Sequence, residues 1–448
     1  MNWSRFIRTF TSLSRGRSPG QLVIQMTDRC NASCPQCGMR AARPYKRSEL
    51  GEDRIRRIID TAAENGVTSI SFTGGEPFLC EEKLIRCIQY AGKAGITYIR
   101  TGTNGFMFRY TDKRTYGTRV RRIIDALAAT ELRNIWISID SAVPEVHERM
   151  RGLPDVIRGI EKAIPYFHRA GLYPSANLGI NRNINGDATG RLAPGSYENE
   201  HMYMKHFRSE FRKGFRTFYR FVISMGFSIV NVCYPISIGS AEHSLKCVYN
   251  ANSDNRLVNF TPLEKQTVYT VLREIIPEFR PYIRIFTPLS SLYSLAGQNN
   301  PDANGCYACR GGIDYFYINA RDGKTYPCGY RGNEDLGMYE DLDLGALRRK
   351  PSCKECDWEC FRDPSGLFGP LRDVFSNPVG SVWNMLMGKE LYKNWLSDLR
   401  YYRDCSYFNG RIPPDYRKME RHWKPVISSV YSPQVNRIAA RQETSSGE

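Results

Sequence analysis

The sequence predicts an α/β fold, namely a partial (β/α)6 barrel of TIM type followed by a small cysteine-rich domain and a helical or irregular tail. Three observations predict this fold. Apolar, β-rich runs alternate with runs of helical period between residues 20 and 276. The polar and glycine-rich motifs come just beyond the predicted strands, where barrel enzymes build their active sites. Six of the 14 cysteines fall between residues 306 and 360.

The alternation defines the elements in order. Strands are predicted over residues 20–26, 69–73, 97–101, 134–139, 174–180 and 227–233. Helices are predicted over residues 48–65, 81–94, 117–130, 153–170, 198–225 and 262–276, and a β-hairpin pairs 315–318 with 325–328. In the tail, residues 364–386 are predicted as a loop punctuated by proline and glycine, 389–399 as a helix, and the polar end from about 434 as disordered.

These elements divide the chain into four parts. They are a basic amphipathic N-terminal segment, the barrel, the cysteine-rich domain and a C-terminal extension, over residues 1–19, 20–300, 301–365 and 366–448. A length of 448 residues allows two or three domains, and 41% hydrophobic and 24% charged residues are typical of a soluble globular protein.

One uncharged stretch, residues 221–239, is long enough to suggest a transmembrane helix. We reject that interpretation because Gly226 divides the stretch and residues 227–233 have the pattern of a buried strand. Asn231 and Pro235 also suit a strand and its exit loop better than a helix in lipid.

Three cysteines near the N-terminus, Cys30, Cys34 and Cys37, have the spacing C-x3-C-x2-C. Three thiolates so close in sequence can converge on one soft metal centre. In a [4Fe–4S] cluster they would leave one of the four irons without a protein ligand, and that iron could bind a substrate or cofactor. The alternatives are a zinc site and buried thiols.

A second motif, Gly74-Gly75-Glu76-Pro77, follows the second predicted strand. Paired glycines allow a close approach of the backbone to a ligand, and proline stiffens the turn. The cysteine triplet followed by this motif resembles the radical SAM superfamily. The resemblance implies that S-adenosylmethionine (SAM) chelates the open iron and that its reductive cleavage yields a 5'-deoxyadenosyl radical, which takes a hydrogen atom from the substrate. It also implies that the four-residue motif binds the methionine end of SAM.

Further segments are similar to the same family. They place Asn104, Ser138 and Asp140 at the ends of the third and fourth strands, near the ribose of SAM or in the wall of its pocket. Residues 145–152 are similar to the segment that follows the fourth strand in the family. One position departs: the residue before the third cysteine is usually aromatic and is Gln36 here, so cluster packing or the adenine contact is expected to differ.

The later cysteines are similar to the SPASM and twitch domains that follow many radical SAM barrels. The spacing Cys309-x13-Gly323-x4-Cys328 carries the likeness. It implies one auxiliary [4Fe–4S] cluster. The expected ligands are Cys309, Cys328, Cys353 and Cys356, with a SPASM-like use of Cys306 and Cys360 as the alternative. A structural zinc held by two C-x2-C pairs is the other interpretation.

The net charge of +17 points to an anionic partner. Residues 205–220 mix bases with aromatics, a pattern that binds nucleic acid, anionic lipid or acidic peptide, or that forms an amphipathic helix with its aromatics in a core. Residues 1–10 have the same character and would rest on a membrane or cap the barrel. No specific nucleic-acid motif is present, and both patches suit a phosphorylated or lipid-like substrate.

We therefore predict a radical SAM oxidoreductase or transferase acting on a small-molecule, sugar or lipid-like substrate. The alternatives are a peptide- or protein-modifying maturase and a non-catalytic iron–sulfur or zinc-stabilised scaffold. The family implies a reductant such as flavodoxin or ferredoxin. Cys233 and Tyr234, at the end of the sixth strand, are candidates for radical quenching or proton transfer, with simple packing as the alternative. No signal peptide is recognised, so a cytoplasmic or membrane-peripheral location is expected.

Overall fold

The computed structural model describes residues 11–37, 46–235, 255–297, 307–347, 351–387, 389–406 and 409–421. In these ranges nine strands form one sheet in the order β7-β6-β5-β4-β3-β2-β1-β8-β9. All neighbours are parallel except β8 and β9. The strands are β1 (Gln21–Thr27), β2 (Ser69–Gly74), β3 (Tyr98–Thr103), β4 (Leu132–Ser138), β5 (Ser175–Gly179), β6 (Ile229–Cys233), β7 (Arg284–Ile285), β8 (Tyr315–Ile318) and β9 (Thr325–Tyr326).

Helices connect the parallel strands from β1 to β8. The longer helices of the described residues are α1 (Glu52–Glu64), α2 (Glu81–Lys93), α3 (Tyr116–Ala128), α4 (Pro144–Arg151), α5 (Val156–Arg169), α6 (Glu200–Ser224), α7 (Pro262–Phe279), α8 (Leu289–Ala296), α9 (Glu359–Ser376), α10 (Pro378–Leu386) and α11 (Glu390–Asp404), and short helices lie at Asp187–Gly190 and Tyr416–Glu420. The order of strands has two free ends, so the barrel is open. The predicted α/β partial barrel is thus confirmed.

The core lies between the sheet and its helices. Strand residues on the outer face, such as Phe72 of β2 and Ile137 of β4, are fully buried. The helices supply matching apolar stripes; in α1, for example, Ile55, Ile58 and Ile59 recur at helical spacing and are fully buried. Burying each side chain of this size stabilises the fold by about 1.5–3 kcal/mol.

The inner face of the sheet is different because it is polar and reached by solvent. In β5, β6 and the second half of β4, half-buried residues of the inner face alternate with buried residues of the outer face. Arg100 of β3 is likewise half-buried between buried neighbours, whereas β1 is buried throughout. The half-buried residues of the inner face include Arg100, Trp136, Ser138, Asn177, Asn231 and Cys233. Barrels of this type are usually filled by branched apolar side chains. We conclude that the inner face of this open barrel is an accessible polar surface.

The cysteine-rich segment adds to the barrel sheet. Its strand β8 pairs with β1 in parallel, and β9 returns antiparallel, which confirms the predicted hairpin. The predicted domain boundary at residue 365 falls inside α9. No separate sheet marks this segment off from the barrel in the described ranges.

The prediction of a loop over residues 364–386 was wrong, because this stretch lies in α9 and α10. Pro364 cannot donate the helical hydrogen bond to the carbonyl of Cys360. That carbonyl instead accepts from the Gln21 side chain, with Nε2 at 3.3 Å. Pro378 stands at the first turn of α10, where a missing N–H costs nothing, and the Asn377 side chain caps that turn. A long-range contact therefore permits a helix that local sequence argues against.

The C-terminal extension is anchored to the barrel through α11, which confirms the helix predicted over 389–399. Asp398 forms an ion pair with Arg280 at 2.7 Å, and both side chains are fully buried. The same carboxylate accepts from the backbone N–H groups of Leu289 and Ser290. The backbone N–H of Ile285 in β7 donates to the hydroxyl of Tyr401 at 3.0 Å. The extension thus packs against the edge of the open barrel at β7.

Within the described ranges, no helix has the length and hydropathy needed to cross a membrane. The uncharged stretch divides, as predicted, into the end of α6 and strand β6. Its last residues, 236–239, lie outside the described residues. So do residues 1–10 and residues 422–448, which include the polar end predicted from about residue 434.

Helix α6 carries the basic and aromatic run at 205–220. Its aromatic residues Phe207, Phe211 and Phe215 are fully buried. Its arginines pair with acids of α7: Arg216, for example, lies 2.7 Å from Glu278. This is the amphipathic helix that the sequence offered as one interpretation, with its aromatic side in the core.

Candidate active site

The loop after β1, which carries the cysteine triplet, packs against the loop after β2. The N–H of Gly75 donates to the carbonyl of Thr27 at 2.8 Å, and the N–H of Glu76 donates to that of Arg29 at 2.9 Å. A Cβ at Gly75 would lie 2.6 Å from the Arg29 carbonyl carbon and 2.9 Å from the Cβ of Cys30. The close approach that the paired glycines allow is therefore to the backbone of the cysteine loop.

Glu76 joins the loop after β2 to the end of β3. Its carboxylate is buried and accepts from the backbone N–H of Asn104 at 2.7 Å and from that of Phe78 at 3.2 Å. Burial raises the pKa of this carboxyl to about 7, against the opposing effect of these hydrogen bonds. Pro77 opens the short helical turn that Glu76 caps. The motif thus places one acid beside the cysteine loop.

Asn104 reaches from β3 to the same loop. Its Nδ2 donates to Oδ1 of Asn31 at 2.9 Å and lies 3.9 Å from Sγ of Cys30. Gly105 follows with φ of +81°, a left-handed conformation that favours glycine. The turn after β3 therefore also contacts the loop at its first cysteine.

Asp140, just after β4, is held in a buried network. Its Oδ2 accepts from Nη2 of Arg151 at 2.8 Å and from Nε2 of Gln36 at 3.0 Å. Its backbone N–H donates to Nδ1 of His147, so that nitrogen is an acceptor. Gln36, the position that departs from the family pattern, therefore ties the residue before Cys37 to the end of β4.

Arg151 was missed by the sequence analysis, although residues 145–152 were noted. Its carbonyl accepts from the N–H of Ser33 at 2.7 Å, in the middle of the cysteine loop. Burial disfavours its charge, but Asp140 and the thiols of Cys34 and Cys30 raise the pKa of Arg151 above its ordinary value. The charge of this buried arginine favours the thiolate forms of Cys30 and Cys34. The sequence signal for this role was the position of Arg151 in the segment 145–152, which is similar to the family.

The three cysteines form one loop. The N–H of Cys37 donates to the carbonyl of Cys34 at 3.1 Å, and the N–H of Ala32 donates to Sγ of Cys30 at 3.4 Å. Burial raises the pKa of Cys34 to about 11, with Arg151 acting in the opposite direction. Among the described residues, no three histidine, cysteine or acidic side chains stand in the arrangement of a bound metal ion. Ser138 lies apart from this network, half-buried on the inner face of β4.

A family model for the radical SAM superfamily matches residues 24–180, which run from β1 past β5. These residues contain the cysteine loop and the turns after β2, β3 and β4. Residues 24–180 therefore have the sequence of a radical SAM superfamily domain. Reductive cleavage of SAM is the general chemistry of this superfamily. SAM and a [4Fe–4S] cluster are accordingly the cofactors of this domain.

Curated relatives agree with this family. The chain is 28% identical to a probable GTP 3',8-cyclase of Thermococcus kodakarensis over 171 residues, which are 37% of this chain and 50% of that protein. It is 24% identical over 335 residues to an AdoMet-dependent heme synthase of Oleidesulfovibrio alaskensis, covering 73% of this chain and 74% of the relative. The chain spans about half the length of the GTP cyclases that it matches.

Solved structures are similar at lower identity. SuiB of Streptococcus suis bound to S-adenosylmethionine has a TM-score of 0.49 at 15% identity, over 74% of this chain and 66% of that one. The native anSMEcpe structure with bound AdoMet has a TM-score of 0.48 at 14% identity, over 95% of this chain and 100% of that one.

The cysteine loop of the radical SAM domain fits a metal–sulfur cluster. Its donors are three thiols on one short loop, with a backbone N–H directed at the Cys30 sulfur and the Arg151 guanidinium close by. A buried thiol with a raised pKa is protonated unless a cation holds it as thiolate, and a bound iron supplies that cation. Cys30, Cys34 and Cys37 are the residues that would hold the cluster.

The later cysteines converge on a second place, between β8 and the start of α9. The N–H of Cys309 donates to the carbonyl of Cys353 at 2.9 Å. Burial raises the pKa of Cys356 well above its ordinary value, and the nearby thiols of Cys328, Cys309 and Cys353 add to the effect. Four of the six candidate ligands are thus brought together.

These four cysteines have the surroundings of a sulfur cluster. The N–H of Gly311 points to Sγ of Cys309, and that of Tyr330 to Sγ of Cys328, both at 3.4 Å. The side chains of Trp358 and Phe361 pack around them in an aromatic cluster. Amide donors and a hydrophobic shell are what tune cysteine-ligated clusters in proteins.

The other two candidate ligands differ. Cys306 lies outside the described residues. Cys360 has its Sγ 3.6 Å from Oε1 of Glu359, and its pKa is raised by burial and by that acid. Glu359 in turn lies close enough to Cys233 to raise the pKa of that thiol. Cys360 therefore points toward the end of β6 at the inner face of the barrel.

The inner face carries a connected set of polar side chains. Nδ2 of Asn231 donates to Oδ1 of Asn177 at 2.9 Å, and Nδ2 of Asn177 donates to Sγ of Cys233 at 3.2 Å. On β3, Nε of Arg100 donates to the hydroxyl of Ser71 of β2 at 2.8 Å. These residues lie on β2, β3, β5 and β6.

Cys233 and Tyr234, the candidates for radical quenching, differ in access. Cys233 is half-buried on the inner face, and burial raises the pKa of its thiol well above the ordinary value. Tyr234 is buried, and its hydroxyl donates to Asp363 of α9 at 3.2 Å. Only Cys233 faces the accessible surface, while Tyr234 fastens α9 to the end of β6.

Proposed function

We propose that this chain is a radical SAM enzyme that abstracts hydrogen from a small polar substrate held on the inner face of its open barrel. The observation that carries the proposal is the convergence of the cysteine loop with the turns after β2, β3 and β4 at one end of the sheet. When bound, the cluster supplies the electron that cleaves the sulfonium bond of SAM. The protein supplies binding, orientation and exclusion of water.

The residues around the loop have separable roles in this proposal. Cys30, Cys34 and Cys37 hold the cluster, and Arg151 favours the thiolate forms of Cys30 and Cys34. Glu76 is a buried acid beside the loop and offers lone pairs to the ammonium group of SAM. Asn104 and Asp140 position the loop through their hydrogen bonds with Asn31 and Gln36.

The substrate class follows from the inner face. Amide, guanidinium and thiol groups line it, contributed among others by Asn177, Arg100 and Cys233. Oε2 of Glu359 is buried without a hydrogen-bond partner among the described residues, so a ligand that donates there would satisfy it. Such a surface suits a hydrogen-bonding small molecule of the sugar type, and Arg100 is the group that would receive an anionic substituent.

We further propose that Cys309, Cys328, Cys353 and Cys356 hold one auxiliary [4Fe–4S] cluster. Their mutual proximity and the amide donors at two of the sulfurs support this set. Cys360 belongs instead to the substrate side, because its thiol contacts Glu359 and lies near Cys233. The auxiliary cluster would then lie beside the substrate-binding surface. Its four irons would each be held by a cysteine, so the substrate would not bind to an iron of this cluster.

The central proposal is tested by anaerobic reconstitution with iron and sulfide. Under reduction by dithionite, the wild-type chain should convert SAM to 5'-deoxyadenosine and methionine. Cys34→Ala should lose this activity. The matched control is Cys80→Ala, which removes a half-buried thiol outside the triplet and should retain it. Undiminished cleavage by Cys34→Ala would refute the assignment.

The auxiliary cluster is tested by counting iron. Cys353→Ala should bind about four fewer irons per chain than the wild type, because a [4Fe–4S] centre with a missing ligand is lost or degraded. Cys360→Ala should keep the wild-type iron content. Equal losses in the two variants would show that Cys360 is a ligand and that the proposed set is wrong.

Substrate class is tested by isotope transfer. Deuterated sugars and other small polar molecules are offered to the reconstituted enzyme, and deuterium is measured in the 5'-deoxyadenosine formed. Transfer from a small molecule that is lost in Asn177→Leu supports binding at the inner face. Transfer only from a peptide would establish the maturase alternative in its place.

A further inference from the structure

Helix α10 presents a row of large apolar side chains to solvent. They are Val379, Val382, Trp383, Leu386 and Met387, with exposed fractions of 80%, 53%, 61%, 76% and 60%. Their spacing of i, i+3, i+4, i+7 and i+8 places them on one side of the helix. An exposed apolar row of this kind marks an interaction surface. We call these five residues the α10 face.

The apolar surface continues beyond the helix. Val374 and Phe375, at the end of α9, are also exposed, with fractions of 38% and 37%. No charged residue occurs from Val374 to Gly388. The five residues of the α10 face therefore lie in a stretch of sequence that contains no acidic or basic residue.

The other side of α10 is docked on the protein. Ser381 is buried, and Met385 packs into the aromatic cluster that contains Trp395 of α11. The helix is therefore held in place by its inner side, and its outer side is left as a surface. Folding alone does not account for five large apolar side chains on that outer side.

We propose that the α10 face inserts into the interfacial layer of an anionic lipid bilayer. An apolar helix side carrying a tryptophan is suited to the boundary between head groups and acyl chains. Charge favours a membrane over a second copy of the chain: a net charge of +17 repels another copy and is attracted by anionic lipid. Lys389 and Lys393, both exposed, follow the face directly.

The α10 face lies outside residues 205–220, one of the two segments whose sequence suits a membrane surface. The aromatics of α6 are buried in the core, so that helix has no apolar side to offer. The α10 face goes beyond the proposed catalytic function and is independent of it. Loss of membrane binding would leave SAM cleavage at the wild-type rate, so failures of the two proposals are distinguishable.

The test is vesicle co-sedimentation of the full chain. Wild-type protein should pellet with vesicles that contain phosphatidylglycerol and much less with pure phosphatidylcholine, and high salt should weaken the binding. The variant V379D/L386D places two charges on the α10 face. Its partition coefficient should fall about tenfold or more, because two apolar side chains no longer leave water.

A matched control uses exposed apolar residues elsewhere. Leu263 and Ile412 have exposed fractions of 40% and 42% and lie outside α10. The variant L263D/I412D should pellet like the wild type. Equal pelleting by V379D/L386D and wild type, or no pelleting of the wild type, would overturn the proposal.

A milder variant guards against misfolding of the double aspartate variant. Trp383→Phe keeps an aromatic side chain, so binding should persist. If the face inserts, brominated lipid should quench wild-type tryptophan fluorescence more than that of the variant, even though other tryptophans remain. Equal quenching would place the contact elsewhere. A dimer that V379D/L386D dissociates, with no response to vesicles, would identify a second copy as the occupant and refute the membrane assignment.

Discussion

The substitution Gly75→Ala tests how the radical SAM site is built. The added methyl group would lie 2.6 Å from the carbonyl carbon of Arg29 and 2.9 Å from the Cβ of Cys30. Ordinary carbon contacts are about 3.5–4.0 Å, so one of the two loops must move by roughly 1 Å. Such overpacking lowers the free energy of unfolding by about 1–3 kcal/mol. A shift of about 1 Å at a reacting centre slows catalysis by about a hundredfold.

The assay compares SAM cleavage and thermal unfolding in the same reconstituted preparations. Gly51→Ala is the matched control, since no atom lies within 4 Å of its Cβ and its φ of −65° suits alanine. We expect the control to behave as wild type in both measurements, and Gly75→Ala to lose far more activity than its stability loss explains. Wild-type cleavage by Gly75→Ala would refute the packing of the two loops described here.

Three further predictions concern buried charges and one titrating group. Arg151→Met leaves Asp140 buried without its cation and should lower the free energy of unfolding by about 3–5 kcal/mol in urea denaturation. Asp398→Ala leaves the buried charge of Arg280 without its partner and should lower the free energy of unfolding by a similar amount. An unchanged free energy of unfolding would contradict the view that α11 is an integral part of the barrel. Burial lowers the pKa of His168 from 6.5 to about 4, so unfolding takes up a proton between these values. Stability should therefore fall by up to about 3 kcal/mol as pH drops from 6.5 to 4, and His168→Gln should flatten that dependence in denaturation curves measured across the window.

The parts of the site that the sequence predicts are those encoded by local spacing. The cysteine triplet and the motif from Gly74 to Pro77 are short and contiguous, and the strands before them are apolar runs. Strand and helix limits in the barrel were accordingly close to the observed ones, except that the predicted helix at 153–170 is preceded by a separate helix, α4.

The parts that the sequence did not predict depend on contacts between distant segments. The pairing of β8 with β1 joins residues nearly 300 positions apart, and no local pattern reports it. The helix through Pro364 depends on a hydrogen bond from Gln21. The role of Gln36 became visible only with Asp140 beside it. In each case a partner far away in the chain decides what the residue does.

The pairing of β8 with β1 has a consequence for how the two cysteine groups are spaced. Gln21, at the start of β1, is aligned with Tyr315 near Cys309, whereas Thr27, at its end, leads to Cys30. Six residue steps of about 3.3 Å make this strand a rod of roughly 20 Å. The two cysteine groups therefore lie at opposite ends of β1. The length of β1 therefore sets how far apart the two cysteine groups lie.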